Sequence, residues 1–138
     1  MSGLGRIDET RAGHPAPLRH LLAHTFACES DGRVPGIQRN LDSHRLDAVA
    51  LTASSYTTGQ SVTWVQSREG FDVLTWENPQ RKSVSGSLRL DHTLASSALP
   101  FFFPAVEVDG AWYGDGGIRL TAPLSPAIHL GEIGRAHV

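Results

Sequence analysis

The run Leu46-Asp47-Ala48-Val49-Ala50-Leu51-Thr52-Ala53 constrains this chain more than any other stretch. It is almost continuously apolar, and its length suits a strand rather than a helix. Such a run fits a strand covered on both faces, the usual situation in a parallel sheet flanked by helices. An α/β fold is therefore expected, with this strand in the core.

The flanking segments read as short elements. Pro17 suits the first turn of a helix, and Leu18, Leu21, Leu22 and Phe26 then form an apolar stripe at helical spacing. A second short helix is expected over Pro35–His44. Ser61–Gln66 alternates and predicts a strand, with Phe71–Trp76 as its hairpin partner across a turn at Arg68-Glu69-Gly70. That hairpin would stack Trp64 on Trp76 as a cross-strand pair. Residues 77–90 are polar and expected at the surface. Asp91 is placed to cap a helix over His92–Ala98, which Pro100 stops. Ala105–Val108 and Ala111–Tyr113 form a second predicted hairpin around Asp109-Gly110, a dipeptide favoured in two-residue turns. Leu124–His129 reads as the start of a further helix. With 14 glycines and 8 prolines in 138 residues, a simple helical bundle is excluded.

Bulk properties exclude several function classes. A net charge of −2 with scattered basic residues gives no electrostatic footprint for nucleic acid. No apolar stretch reaches the ~20 residues that span a bilayer. Residues 1–11 lack the layout of a signal peptide, and the single cysteine, Cys28, favours a reducing compartment. A cytoplasmic location is therefore expected, with peripheral contact at a membrane compatible with it. His20 and His24 share a helix face at i, i+4, but no third ligand accompanies them, so no metal is expected. His92 reads as structural, and Cys28 as buried rather than reactive. Phe101-Phe102-Phe103 would either line an acyl channel or pack the core, and packing is the expectation, because three successive rings cannot all face one way.

The candidate for chemistry is Asp115, in Tyr113-Gly114-Asp115-Gly116-Gly117. Glycines around one aspartate mark a backbone bend with a short carboxylate at its apex. Read alone, the motif fits an Asx-type turn as well as a catalytic carboxylate. The strand ending in Trp112-Tyr113 delivers Asp115 to a strand's C-terminal end, where α/β folds place their sites.

A longer pattern surrounds it. Ala95-Ser96-Ser97-Ala98-Leu99-Pro100-Phe101-Phe102-Phe103-Pro104, then Asp109-Gly110, then Gly114-Asp115-Gly116-Gly117, resembles the C-terminal half of bacterial patatin-like phospholipases. Ala53-Ser54-Ser55-Tyr56-Thr57-Thr58-Gly59-Gln60 resembles that family's core strand and the loop after it, so the likeness covers roughly residues 16–131. It implies a three-layer α/β/α sandwich with a mostly parallel central sheet, of which this chain holds the later part. It also implies a lipid acyl hydrolase that uses a Ser–Asp dyad, with a phospholipid or related ester as substrate and no cofactor or metal. By that resemblance Asp115 is the general base, and Gly114, Gly116 and Gly117 are its supporting motif.

The rest of the family's machinery is not in these residues. No Gly-x-Ser-x-Gly elbow occurs, since Ser83-Val84-Ser85-Gly86-Ser87 has its glycine in the wrong place, and no Gly-rich oxyanion loop occurs. Without a nucleophile the dyad cannot act, so the chain alone is expected to be inactive. A non-catalytic lipid- or protein-binding domain on the same scaffold is the alternative. Residues 1–131 are read as a partial domain. Residues 132–138, ending Ile133-Gly134-Arg135-Ala136-His137-Val138, match one reading frame of a common sequencing-adapter oligonucleotide and are expected to be foreign to it.

Overall fold

The computed structural model describes residues 15–100 and 102–118. In chain order the elements are α1 (Pro15–Thr25), α2 (Pro35–Asp42), β1 (Ala48–Ser55), β2 (Ser61–Ser67), β3 (Arg81–Ser85), α3 (Leu90–Ser97), β4 (Val106–Val108) and β5 (Ala111–Asp115). A 3-10 turn over Gly116–Ile118 follows β5. The five strands form one sheet in the order β3-β2-β1-β5-β4. The fold is thus mixed α/β. The helix expected at Leu124–His129, residues 132–138 and Phe101 lie outside the described residues.

The sheet corrects the expectation of mostly parallel pairing. Among the described residues β1 runs antiparallel to both β2 and β5, and β4 antiparallel to β5; only β2 and β3 are parallel. Connection length explains this. Residues 56–60 between β1 and β2 are too few for a crossover, and so are the two residues between β4 and β5. Asp109 and Gly110 both take positive φ, +48° and +83°, which gives that hairpin its two-residue turn. Residues 68–80, by contrast, are long enough to carry β2 to a parallel β3.

The same crossover overturns the hairpin expected after Gly70. Residues 71–76 form no strand and do not pair with β2. They lead into a tight turn in which the Asn78 side chain accepts the Gln80 and Arg81 N–H groups. β3, which lies in the segment expected to be exposed polar loop, takes the place beside β2. The stretch 81–85 has little apolar character, and hydrogen bonding to β2 rather than hydrophobicity makes it a strand. Trp64 consequently does not meet Trp76. Its ring packs against His92 and Tyr113, at centroid distances of 4.7 and 4.8 Å.

The core lies between one sheet face and α3. Ala53, Val62, Trp64, Val106 and Val108 meet Leu90, Leu94, Ala95 and Ala98, and α1 adds Leu18 and Leu22 at the margin. Cross-strand register places Val62 opposite Ala53 and Trp64 opposite Leu51, on that same face. The other face carries a row of hydroxyls, with Thr52, Thr63 and Ser83 at matching positions on β1, β2 and β3. The Thr52 and Thr63 hydroxyls bond each other at 2.9 Å.

Helix α3 begins two residues earlier than expected, and Asp91 is not its cap. Arg89 occupies the N-cap, and its N–H donates to His92 Nδ1 at 2.8 Å. Asp91 instead sits in the first turn, where a carboxylate suits the helix dipole, and pairs with Arg19 of α1. Phe102 and Phe103 are exposed, not packed in the core as expected; Phe102 keeps 74% of its surface in solvent.

Candidate active site

Asp115 is the last residue of β5 and opposes Ala53 of β1. Two main-chain contacts from distant elements fix it, and a third ties the same elements together beside it. Its N–H donates to the Ala98 carbonyl at the end of α3 (2.9 Å). Its carbonyl accepts the Ser54 hydroxyl (3.1 Å), and Ser96 Oγ donates to the neighbouring Thr52 carbonyl (2.7 Å). The backbone carrying the carboxylate is therefore tied to β1 and α3 together.

The glycines around it have separate reasons. A Cβ on Gly116 would lie 2.3 Å from the Thr52 carbonyl oxygen, so only glycine lets the turn press on β1. A Cβ on Gly114 would meet the tip of the Tyr56 ring, which lies across that position. At Gly117 the constraint is milder, since a Cβ there would lie 3.2 Å from Asp115 Oδ1. The Gly117 N–H donates to the same Oδ1 at 2.7 Å.

That last bond is an Asx turn, so the structural reading of the motif holds and is compatible with the chemical one. Oδ1 is held by the turn, while Oδ2 takes no bond from the described residues. The carboxylate is partly exposed. A carboxylate with one oxygen anchored and the other uncommitted is suited to accept a proton from a nearby hydroxyl. No serine hydroxyl among the described residues donates to it: Ser54 and Ser55 are buried, and Ser54 gives its proton to the main chain.

A family model for the patatin-like phospholipases matches residues 5–128. The chain belongs to that family. Comparison with curated proteins and with solved structures found no match. The patatin-like match spans both segments on which the resemblance rested, around Ala53–Gln60 and Ala95–Gly117.

The remaining candidates separate from this site. His20 and His24 are exposed on α1, and no group of three metal-ligating side chains occurs among the described residues. No helix among them is long and apolar enough to cross a membrane. Cys28 is partly buried against the core. His92 is buried, and burial together with the nearby Arg89 charge pushes its imidazole below the usual range. Burial pushes the Tyr113 phenol up. Sequence reasoning missed Ser54, Tyr56 and Ser96 as the groups that surround and position the turn. Their signal was present in the Ala53–Gln60 and Ala95–Pro104 segments, but hydroxyl-to-carbonyl bonds across 44 and 61 residues have no local pattern.

Proposed function

We propose that this chain supplies the base of a lipid acyl hydrolase centre. Asp115 takes the proton from a serine Oγ as that oxygen bonds to the acyl carbon of a phospholipid-type ester, then returns it to the departing alcohol oxygen. The serine, in this reading, belongs to residues outside these 138, and the chain alone is inactive. Residues 1–131 are the later portion of the domain and 132–138 are foreign to it. The carrying observation is the Asp115 carboxylate at the end of β5, with Oδ1 fixed by Gly117 and Oδ2 uncommitted among the described residues.

The test is ester hydrolysis by the protein encoded when the upstream coding sequence is included. An in-frame Gly-x-Ser-x-Gly and measurable turnover are expected there, and none from the 138 residues. Asp115→Asn should lower turnover by about 10²–10⁴-fold while leaving the circular dichroism spectrum unchanged. Turnover within about tenfold of the unsubstituted protein would end the dyad assignment. A complete gene without the serine motif would favour the non-catalytic reading, in which Asp115 serves only its Asx turn.

A further inference from the structure

A cleft of about 370 Å³ lies away from Asp115, at the other end of α3. His92 lies in the first turn of α3 and Ala98 is its C-cap, so a helical rise of about 9 Å separates them. Trp64 and Val84 form an apolar wall, and Arg33, Arg89 and His92 bring donors to it.

Two features of these donors are unusual. Arg33 and Arg89 face each other across an antiparallel bridge, and like charges placed opposite one another oppose pairing. Each is balanced by carboxylates at the rim: Arg33 by Asp31 at 2.5 Å and Glu29 at 3.4 Å, and Arg89 by Asp109 at 2.8 Å. The Asp109 side chain is 73% exposed, and exposed pairs of this kind are weakly held. Among the described residues Arg89 meets Asp109 through Nη2 alone, which leaves the rest of its donor fork uncommitted there.

The second feature is His92, which is only 4% exposed. Its Nδ1 accepts the Arg89 N–H, which assigns the ring proton to Nε2. Nε2 has no hydrogen-bond partner among the described residues and is not sealed from the cleft that the ring lines. This N–H therefore opens into the cleft beside the two arginines, where it can donate to a bound acceptor.

We infer that this cleft is a second site, which binds a phosphate oxyanion through Arg33, Arg89 and His92 Nε2–H, with Trp64 beside the group that the phosphate carries. Planar guanidinium forks match phosphate oxygens in pairs. The cleft is in the size range of small-molecule sites, which start at about 300 Å³, so it has room for a phosphate ester as well as the bare ion. Asp31, Glu29 and Asp109 occupy the arginines until the ligand arrives and swing outward when it binds. Binding here is independent of the role of Asp115.

The test is a titration of the 138-residue chain with inorganic phosphate at neutral pH, followed by the NMR signals of the His92 ring and the Trp64 indole. A saturable shift in the millimolar range or below is expected. Arg33→Gln with Arg89→Gln should weaken it by about tenfold or more; the Arg89 cap uses the main-chain N–H, which this change keeps. Asp109→Asn, which removes a competing carboxylate from an Asn-tolerant turn, should tighten binding several-fold. Asp115→Asn should leave it unchanged. Binding to phosphatidylcholine vesicles only when they contain phosphatidic acid would assign the phosphate to a lipid headgroup. Binding of free phosphate without vesicle binding would assign it to a soluble ester. No saturable shift with either probe, or equal affinity in the double arginine variant, would overturn the proposal.

Discussion

Replacing Gly116 with alanine should cost far more than the same change at Gly114, although the clash distances suggest the reverse. The added Cβ would lie 2.3 Å from the Thr52 carbonyl oxygen and 2.7 Å from its carbon at Gly116, against 2.0 Å from the Tyr56 hydroxyl at Gly114. The difference is what must move. Thr52 is main chain in the middle of β1, hydrogen-bonded to β2 and accepting Ser96 Oγ. Tyr56 is an exposed side chain that can swing away into solvent. Neither glycine takes positive φ, so neither substitution is strained through its own backbone torsions. Overpacking against main chain costs about 2–3 kcal/mol, a factor of roughly 30–150 in the folding equilibrium. For a chain of this size that is a drop of roughly 8–12 °C in Tm. At Gly114 the displaced ring and the entropy gained by removing a strand glycine offset each other, leaving a change within about 1 kcal/mol. Urea titration of both variants by circular dichroism reads the contrast. Equal midpoints, or a larger loss at Gly114, would show that the turn does not press on β1.

Other substitutions separate the remaining forces. Gly110→Ala has open space around the new Cβ, so its cost of about 1–2 kcal/mol comes from φ +83° alone, and a urea midpoint unchanged from wild type would contradict the left-handed turn. Asp115→Asn in the hydrolytically active protein should lower kcat by about 10²–10⁴-fold, with the urea midpoint unchanged. His92 predicts acid sensitivity. Its folded-state imidazole titrates below the ordinary value of about 6.5, so between those two values the unfolded chain binds more protons than the folded one. Stability is then full above pH ~6.5 and falls as pH drops through the folded value. His92→Gln should flatten that part of the pH–stability curve, and an equally steep fall in the variant would assign the sensitivity elsewhere.

What could be read in the sequence follows from the range of each interaction. The β4–β5 turn was readable because Asp109-Gly110 carries its own positive φ preference, and α1 and α2 were readable from proline starts and apolar spacing. Strand direction was not. The apolar run of β1 reports burial, and burial does not distinguish parallel from antiparallel neighbours; the five-residue link to β2 does, and it was available. β3 was hidden because Arg81–Ser85 pairs through its backbone and has little apolar pattern. The Arg89 cap was hidden for another reason. A carboxylate at Asp91 fits the usual cap chemistry, whereas an imidazole accepting the cap N–H is set by the burial of His92 against Trp64.

The same distinction governs Asp115. Its glycines permit the turn, but permission does not locate a carboxylate to the fraction of an ångström that proton transfer requires. Location comes from the Ala98 carbonyl at the end of α3 and from Ser54 and Thr52 on β1. Ala98 belongs to the core with Leu90, Leu94 and Ala95, so the end of α3 is held by packing along its whole length. The opposite end of that helix rests on Trp64 and on the His92–Arg89 bond beside the charged cleft. A site built this way is set by long-range contacts and closed by a local motif. For this reason the four residues Gly-Asp-Gly-Gly are ambiguous alone, and their geometry is fixed only by the segments that contact them.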